Sequence, residues 1–555
     1  MSLWSTIVYR VKEILQKMIG ARTIEQSLHV APVLSSQMEN AIELWSNMYK
    51  GQSPWLKEPN AADPTRVVSL GLPALIASEK TRTALLELSS EITTPTEEVE
   101  IPNPEYTEPV PDAFGNVIPS AQPPVITEDR PIGPTDRAEY LESQYKKLKK
   151  QLRKQMEYGI AKGGLVIKPY VILNANNDPE VETTAELEFD FIQADCFFPL
   201  AFDAAGRITE AAFLQSKVDK DNIYRRLEYH KWLGDSVQII NKAYKSTNTE
   251  QGDGAGVDLG REVPLTEVNE WKDLKATVKI KNVHKPLFAY FRMPEANTID
   301  TTSPLGVSGF SRAVDLIKDA DMQYSRLLWE YEAGEMAIDV DRDALNFLET
   351  GTNRDGISYS GGRSVLGHTQ QRLYRKVDLN NDGTTFEPFA PSLRDVSYIQ
   401  GLNTILMRIE DVTGLSRGTL SDAAAEARTA TELKILKQRS YQANAEIQQA
   451  MEDTLRDVIY IMNVYCDLYE ITPSGEYDVN FEWDDSIIVD IDIELGKRIT
   501  LQQNGLASKL ENRMWYFGET ERQAREALLR IEDENRQAME ENLIMQSNLE
   551  SGEEQ

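Results

Sequence analysis

The stretch Ser303-Pro-Leu-Gly-Val-Ser-Gly-Phe310 stands where an irregular segment gives way to a regular helical pattern. Its proline and first glycine interrupt regular structure, and Ser308 or Gly309 can cap a helix that follows. Beyond it, apolar residues recur at steps of mostly three or four, which places them on one helical face: Val314, Ile317, Tyr324, Leu328 and Tyr331. The pattern predicts an amphipathic helix over residues 306–336, about 46 Å long.

A second amphipathic helix is predicted over residues 392–413, where one face collects Val396, Ile399, Leu402, Ile405 or Leu406, Ile409 and Val412. Between the two helices, residues 337–391 open with a strand-like run and continue through turn-forming clusters: Asn353-Arg-Asp-Gly356, Ser360-Gly-Gly362 and Asn380-Asn-Asp-Gly383. We therefore expect a small β-rich unit between the helices. Small and polar residues occupy 414–427, and helical periodicity resumes over 428–468.

The flanking regions mix helices with strands, so the predicted fold class is α+β. Helices are predicted over residues 4–20, 36–50 and 73–92, from Thr135 or Asp136 to about 156, and over 498–510 and 520–546. Strands are predicted through 164–300 and at 477–483 and 487–493. Residues 93–135 carry ten prolines among acidic and polar residues, which predicts an extended surface excursion instead of a helix or central strand.

Charge and composition narrow the function classes. The chain has 555 residues, 41% of them hydrophobic, and a formal net charge of −30. Such a charge is unsuited to gripping DNA over a large surface, because phosphate contacts are made by lysine and arginine. The sequence has no run of 18 apolar residues, so no membrane-spanning helix and no membrane partner are expected.

The candidate catalytic and metal sites each have a plainer interpretation. Asp378–Gly383 begins like an EF-hand loop, but Phe389 stands where a bidentate glutamate is required, so a β-turn is favoured. The acids at 484, 485, 490, 492 and 494 could supply oxygen ligands for Mg²⁺ or Ca²⁺. The last three alternate with apolar residues, so the solvated face of a half-buried strand is favoured. Gly252–Gly256 lacks the lysine of a phosphate-binding loop. For His230 beside Glu228, a structural hydrogen bond is favoured over acid–base chemistry. No cofactor or metal is predicted.

The helix after residue 135 carries the strongest basic cluster: Lys146, Lys147, Lys149, Lys150, Arg153 and Lys154. These residues cover much of the helix outside its apolar stripe, and few aromatic residues accompany them. A solvated or subunit-bridging surface is therefore favoured over nucleic-acid contact. In so acidic a protein, the cluster can pair with carboxylates of a neighbour.

Short strings along the chain resemble portal proteins of tailed bacteriophages, in particular those of siphophages that infect Gram-positive bacteria. The resemblance is carried by Ser303–Phe310, Asp315-Leu-Ile-Lys-Asp-Ala-Asp321, Pro286-Leu-Phe-Ala-Tyr290, Thr429-Ala-Thr-Glu432, Trp483-Asp-Asp-Ser486 and Gly505-Leu-Ala-Ser508. Gly206, Phe213, Glu228, His230, Asn241 and Pro294 recur in the same order. It covers nearly the whole chain apart from residues 93–135.

The resemblance implies a portal fold, divided as follows: wing, 1–303, with the proline-rich excursion 93–135; first stem helix, 304–336; clip, 337–391; second stem helix, 392–413; tunnel loop, 414–427; long wing helix, 428–470; wing strands, 471–495; crown and C-terminal tail, 496–555. The subunits would assemble as a ring, because the apolar stripes of one helix pair are too narrow to seal a two-helix core.

The function implied is that of a head–tail connector, a non-enzyme. A ring of twelve copies at one capsid vertex would pass double-stranded DNA, without sequence specificity, during packaging and ejection. Its partners would be the terminase large subunit, the major capsid protein, a scaffold protein and a head-completion adaptor. The expected location is the virion, with assembly in the host cytoplasm.

Because a sliding duplex should meet few phosphate contacts, a small number of basic rings would centre the DNA. The candidates on the implied channel are Lys318, Arg326, Arg408, Arg417 and Arg428, and those in the implied tunnel loop are Gly414, Gly418, Ser421, Asp422 and Glu426. Two other classes stay open: another oligomeric virion or scaffolding protein, and a metal-dependent nucleic-acid enzyme.

Overall fold

The computed structural model describes most of the chain. The described residues are 23–58, 66–85, 88–102, 110–111, 117–118, 125–174, 184–219, 222–246, 259–341, 374–377, 386–422, 430–483, 491–520, 523–531, 534 and 536. The chain divides into two units, residues 1–481 and 482–555. The helix predicted over 4–20, the loop at 247–258 and the turn clusters of residues 353–383 lie largely or wholly outside the described residues.

The N-terminal helices are α1 (Ile24–Leu28), α2 (Ser36–Tyr49) and α3 (Leu72–Leu85). The prediction for α2 is confirmed, with Ser35 as its N-cap. The helix predicted over 73–92 is wrong at its end, because β1 (Leu88–Thr93) is a strand whose Ser90 and Ile92 are buried. Burial of every second residue is typical of a strand with one face against the core. The two buried residues contact a neighbouring helix.

The proline-rich segment forms a two-stranded antiparallel ribbon. Strand β2 (Thr96–Pro102) pairs with β5 (Val125–Pro131), and the short strands β3 (Val110–Pro111) and β4 (Val117–Ile118) pair with each other. Prolines stand at the strand ends, where no ladder hydrogen bond is lost. Among the described strands the ribbon joins no larger sheet. The extended conformation predicted for this segment is thereby confirmed for its described residues.

Helix α4 (Asp136–Lys162) organises the core of the first unit. Its predicted apolar stripe is confirmed, since the following residues are all at most 2% exposed: Leu141, Tyr145, Leu148, Leu152 and Met156. The helix contacts β1 through Glu142, beside the stripe, which accepts the Ile92 amide at 2.9 Å. The lysines do not surround the helix. Lys149 is half-buried, and the other five cations share the exposed side opposite the stripe.

Two sheets follow α4, as the strand-rich prediction for 164–300 required. The first has the order β14-β6-β7, formed by Ala289–Arg292, Gly164–Asn174 and Thr184–Gln193. The second has the order β12-β11-β10-β9-β8, with β13 also on β11, formed by Arg261–Val263, Ser236–Ser246, Asn222–Trp232, Ile208–Asp219, Phe197–Phe202 and Thr277–Lys281. Neighbouring strands in both are antiparallel.

The decisive stretch Ser303–Phe310 is a buried connector, and the helix starts later than predicted. Every residue of the stretch is buried, and the Gly309 amide donates to the Ile160 carbonyl at 2.9 Å. Gly163 has a φ of +89°, and a Cβ there would lie 2.7 Å from the Gly306 carbonyl oxygen. This close packing holds the stretch in an irregular path of bends and turns. Helix α5 therefore covers Val314–Ala333, after a 3₁₀ turn at Ser311–Ala313. Neither Ser308 nor Gly309 is its N-cap.

The remaining elements of the first unit follow the predicted order. A three-stranded sheet, β16-β15-β17, is formed by Tyr374–Val377, Ala337–Asp341 and Phe386–Phe389. Helix α6 spans Asp395–Thr413, and α7 spans Ala430–Leu468. Strand β18 (Asp478–Trp483) pairs with β1. In the described part of the chain, no helix is both long and apolar enough to span a bilayer.

In the C-terminal unit, helix α8 covers Ile491–Gln503 and α9 covers Lys509–Phe517. The strand predicted over 487–493 is wrong for its last residues, which are helical. Apolar residues recur every four positions at Ile491, Leu495 and Ile499, and this period outweighs the short alternation. The helix predicted over 498–510 breaks after Gln503, and Ser508 with Glu511 forms a capping box for α9.

A buried charge cluster lies between the two large sheets. The Glu228 carboxylate contacts Lys168 Nζ at 2.7 Å, Arg226 Nη2 at 3.0 Å and His230 Nε2 at 2.7 Å, so the predicted structural hydrogen bond is present. Burial opposes ionisation of Glu228, but Lys168, His230 and Arg226 hold its pKa well below 4.5. Burial lowers the pKa of His230 below 6.5, although Glu228 acts in the opposite direction.

This lowered His230 pKa makes stability sensitive to acid. Below about pH 6.5 the unfolded chain binds a proton that the native state excludes, so the free energy of unfolding should fall by up to about 1.4 kcal/mol per pH unit. The free energy of unfolding, measured with denaturant, should change less between pH 7 and pH 5 in His230→Gln than in the wild type. His284→Gln, at an exposed histidine, serves as the control. The same pH dependence of the unfolding free energy in all three proteins would contradict the lowered pKa of His230.

Candidate functional site

Helices α5 and α6 form an antiparallel pair that carries three of the five basic candidates, Lys318, Arg326 and Arg408. Arg394, just before α6, binds Glu330 near the end of α5, with Nη2 to Oε2 at 2.7 Å and Nε to Oε1 at 3.1 Å. Further along, the Gln323 amide lies beside Gly401, where a Cβ would be 3.3 Å away. Glu330, late in α5, thus lies beside the start of α6, whereas Gln323, earlier in α5, lies beside a later residue of α6. The two helices therefore run in opposite directions.

Helix α5 is fixed to the rest of the unit by a buried carboxylate. Asp321 is 0% exposed and accepts hydrogen bonds from Trp55 Nε1 at 2.9 Å and the Leu70 amide at 2.8 Å. Burial raises the pKa of Asp321, and those two donors act against the rise. One turn later, Ser325 Oγ accepts the Val68 amide at 3.0 Å. The segment before α3 is thereby joined to the helix pair.

The outer side of the pair exposes large apolar side chains. Trp329 is 62% exposed, Val396 62% and Ile399 47%. Lower exposures are found at Tyr331, Leu393 and Val412. Of the two predicted stripes, only Ile317 and Ile409 are fully buried within one chain. An apolar surface of this kind on a helix pair is a common feature of protein–protein interfaces.

The five candidate basic residues do not form one cluster. Lys318 and Arg326 are exposed on α5, and neither makes an ion pair within the described residues. Arg408 and Arg417 both contact Asp411, at 3.8 Å and 2.8 Å. Asp411 raises the pKa of Arg417, which keeps this guanidinium charged. Arg428 lies outside the described residues.

The segment after α6 folds back onto the end of that helix. Gly414 ends α6 in the left-handed conformation, with a φ of +75°. The buried Glu410 then accepts three hydrogen bonds through its carboxylate, from the Leu420 amide at 2.6 Å, the Ser421 amide at 2.8 Å and Ser421 Oγ at 2.8 Å. This carboxylate fixes the first part of the predicted tunnel loop.

A second side chain of α6 continues the same attachment. Asn403 Oδ1 accepts the Asp422 amide at 2.8 Å, and Asn403 Nδ2 donates to the Asp422 carbonyl at 3.4 Å. Of the predicted loop residues, Ser421 is buried, Gly418 and Asp422 are exposed, and Glu426 lies outside the described residues. The segment 414–422 is therefore held along most of its length by α6.

Sequence reasoning missed Glu410, Asp321 and Asp411, which fix the helix pair and its loop. An acid on the apolar side of a predicted helix was the available signal, since Glu410 follows Ile409 directly and Asp321 lies four residues after Ile317. A buried carboxylate requires donors, but the sequence does not show where in the fold they come from.

No metal-binding arrangement is found among the described side chains. Residues 378–383, 252–256 and 484–490 lie outside the described residues, and the side chains of Asp492 and Glu494 are not described. The chemistry that the described site offers is therefore hydrogen bonding, ion pairing and apolar contact.

A family model described as "Phage portal protein, SPP1 Gp6-like" matches residues 137–541. The matched span begins in α4 and includes the helix pair and its loop, while the ribbon β2–β5 precedes it. A search of curated proteins gives no match.

The Glu410 contacts lead to a test of the loop attachment. Glu410→Ala leaves two buried amides without an acceptor and should lower the free energy of unfolding by about 2 kcal/mol. Hydrogen exchange at Leu420 and Ser421 should accelerate, while exchange within α7 should not change. Glu410→Gln keeps one acceptor and should do less. Glu332→Ala, an exposed site on α5, is the control; unchanged exchange in Glu410→Ala would contradict the attachment.

Proposed function

We infer the function of this chain from its family, because it belongs to the SPP1 Gp6-like phage portal proteins, whose model matches residues 137–541. It is a phage portal protein, a capsid-associated oligomer of the virion, and this family fits a structural and non-enzymatic role. We propose in addition that it is of the type found in siphophages of Gram-positive hosts.

The proposed assembly is a closed ring of about twelve copies at one capsid vertex, through which DNA enters and leaves. The observation that carries this proposal is the exposed apolar surface of α5 and α6, with Trp329, Val396 and Ile399 in water in a single chain. A neighbouring copy of the same pair supplies a matching apolar surface, and repeating this contact around an axis closes a ring.

The proposed division of the fold follows the order of its elements. The helix pair α5–α6 is the stem, the sheet β15–β17 between the helices belongs to the clip, and the segment from Gly414 is the tunnel loop. Everything before the stem, together with α7 and β18, forms the wing, and the unit from residue 482 includes the crown. In this division, Asp321 is the joint between wing and stem, because it binds Trp55 and Leu70.

The charge of the chain suits a channel through which DNA slides. With a net charge of −30, a ring of twelve copies repels the duplex over most of its surface, and few phosphate contacts limit the counterion-release affinity. Lys318 and Arg326 are the proposed exceptions, because they are exposed and make no ion pair within the described residues. The charges of Arg408 and Arg417 are partly offset by Asp411, which makes them weaker candidates.

The proposed partners follow from these positions. The terminase large subunit would dock on the clip during packaging, and a head-completion adaptor would replace it afterwards. The scaffold protein and the major capsid protein would contact the wing and the outer stem. Assembly would take place in the host cytoplasm before the protein becomes part of the virion.

The first experiment is electron microscopy of the purified full chain, with native mass spectrometry of the same sample. Closed rings with a central hole and about a dozen copies would support the proposal. A compact dimer or tetramer without a channel would contradict it, also when the scaffold protein is co-expressed. The same images would give the ring stoichiometry directly.

The apolar stem surface can be tested by placing charge in it. Trp329→Glu combined with Val396→Glu should abolish rings, because two carboxylates per copy would be buried without partners. The double variant should keep its helical circular dichroism, since both residues are exposed in one chain. Val218→Glu, at a site 56% exposed on β9, is the control. Rings of normal size in the double variant would overturn this interface.

The proposed channel cations give a separate expectation. Lys318→Gln combined with Arg326→Gln should leave the ring intact and reduce the yield of packaged DNA severalfold, because a basic ring that centres the duplex is lost. Packaging would be measured as nuclease-protected DNA per particle. Lys279→Gln with Lys281→Gln, two exposed lysines of β13, is the matched control. An unchanged yield in the first variant would remove both residues from the channel.

A further inference from the structure

The exposed face of α4 is strongly basic in a strongly acidic protein. Its cations are Lys146, Lys147, Lys150, Arg153 and Lys154, and we call this set the basic face. Lys146 is 3.3 Å from Glu142 of the same helix, and Lys147 pairs with Glu186 of β7. In the described part of the chain, Lys150, Arg153 and Lys154 have no ion pair. Three adjacent cations are therefore open to an anionic partner.

The ribbon that precedes α4 has the opposite charge. Residues 96–131 contain eight acidic residues and one arginine: Glu97, Glu98, Glu100, Glu105, Glu108, Asp112, Glu128, Asp129 and Arg130. Glu97 and Glu100 on β2 are exposed. Neither β2 nor β5 pairs with any other described strand. It also lies outside the matched family span, which begins at residue 137.

The two charged surfaces do not pair with each other among the described residues of one chain. The ion pairs of the basic face are made with Glu142 and Glu186, which lie on α4 itself and on β7. Lys150 and Lys154 remain exposed although the acidic ribbon is joined to the same helix by only a few residues. Among the described residues, Glu97 and Glu100 of the ribbon also have no ion pair, so adjacent copies can bring these exposed acids to the exposed cations of the basic face.

We propose that the acidic ribbon of one copy lies along the basic face of α4 in the neighbouring copy and straps the two together. The strap rests on the proposed ring, because it requires an adjacent copy of the same chain. It is an interaction between strands β2 and β5 of one copy, Thr96–Pro102 and Val125–Pro131, and residues 146–154 of the next.

The dimensions of the two surfaces agree. The strands β2 and β5 have seven residues each and are about 24 Å long. The basic face covers the turns from Lys146 to Lys154, about 12 Å of helix. One ribbon can therefore run past the whole face. Such surface pairs are individually weak and screened by salt, so the strap would set the register of neighbours and add to the apolar contact of the stem.

A charge-swap experiment on the full chain tests the strap and separates neighbours from self-contact. Variant one is Lys150→Glu with Lys154→Glu, and variant two is Glu97→Lys with Glu100→Lys. Each alone places like charges at every joint between copies, so the yield of closed rings at low salt should fall severalfold. Co-expression of the two should restore the yield, because the reversed face of one then meets the reversed ribbon of the other.

The control has the same change in charge at a distant place. Lys279→Glu with Lys281→Glu, on β13, should assemble as the wild type does. Raising the salt concentration to about 0.5 M should bring the single variants and the wild type closer together, because the charges are then screened. Ring yield would be measured by native mass spectrometry and electron microscopy.

The outcomes decide between the alternatives. Normal rings from variant one alone would overturn the strap and leave the proposed function intact. Failure of the co-expressed variants to restore the yield would also overturn it, because a ribbon that folds onto its own helix gains nothing from mixing. Normal rings that lose salt-dependent binding to duplex DNA would assign the basic face to nucleic acid instead. A wild-type chain that forms only a compact dimer or tetramer without a channel would overturn both proposals.

Discussion

The helix pair α5–α6 cannot bury its own apolar surface, and much of the remaining structure holds it in place. Two antiparallel helices bury one narrow stripe between them, and here Trp329, Val396 and Ile399 remain in water. Burial of apolar area contributes about 25 cal/mol per Å², so covering these exposed side chains with another copy would favour association. A portal protein works as an oligomer, and in the proposed ring a neighbouring copy would cover this face.

Polar anchors, more than apolar packing, determine where this pair stands. Asp321 binds Trp55 and the Leu70 amide, Glu330 binds Arg394, and Glu410 holds the segment that leaves the pair. Apolar contacts have little directional preference, whereas a buried carboxylate requires donors at defined positions and costs free energy when they are absent. Such anchors give the pair a fixed position before a neighbour arrives, which reduces the ordering that assembly requires.

Sequence alone predicts the elements of this fold better than their junctions. The stripe of α4 and the bounds of α2 can be predicted, because their periodicity depends on one helix and one core. The connector Ser303–Phe310 has the pattern of a helix start but is irregular, and the close approach of Gly163 to Gly306 that holds it involves residues far apart in sequence. The same limit applies to Asp321 and Glu410, whose donors come from distant or non-periodic segments. The basic candidates follow from charge alone, and their placement in a channel stays a prediction.

A channel wall and a contact between neighbouring copies require different distributions of charge. A channel wall must repel DNA enough for the duplex to slide, so cations that face DNA should be few and separated. The basic face of α4 breaks that rule, with five cations on about three turns of one helix. A surface this dense would hold a duplex tightly, whereas an acidic ribbon from a neighbour would neutralise it. In a ring that pairs the ribbon with the basic face, these cations would be neutralised by a neighbour and kept from DNA.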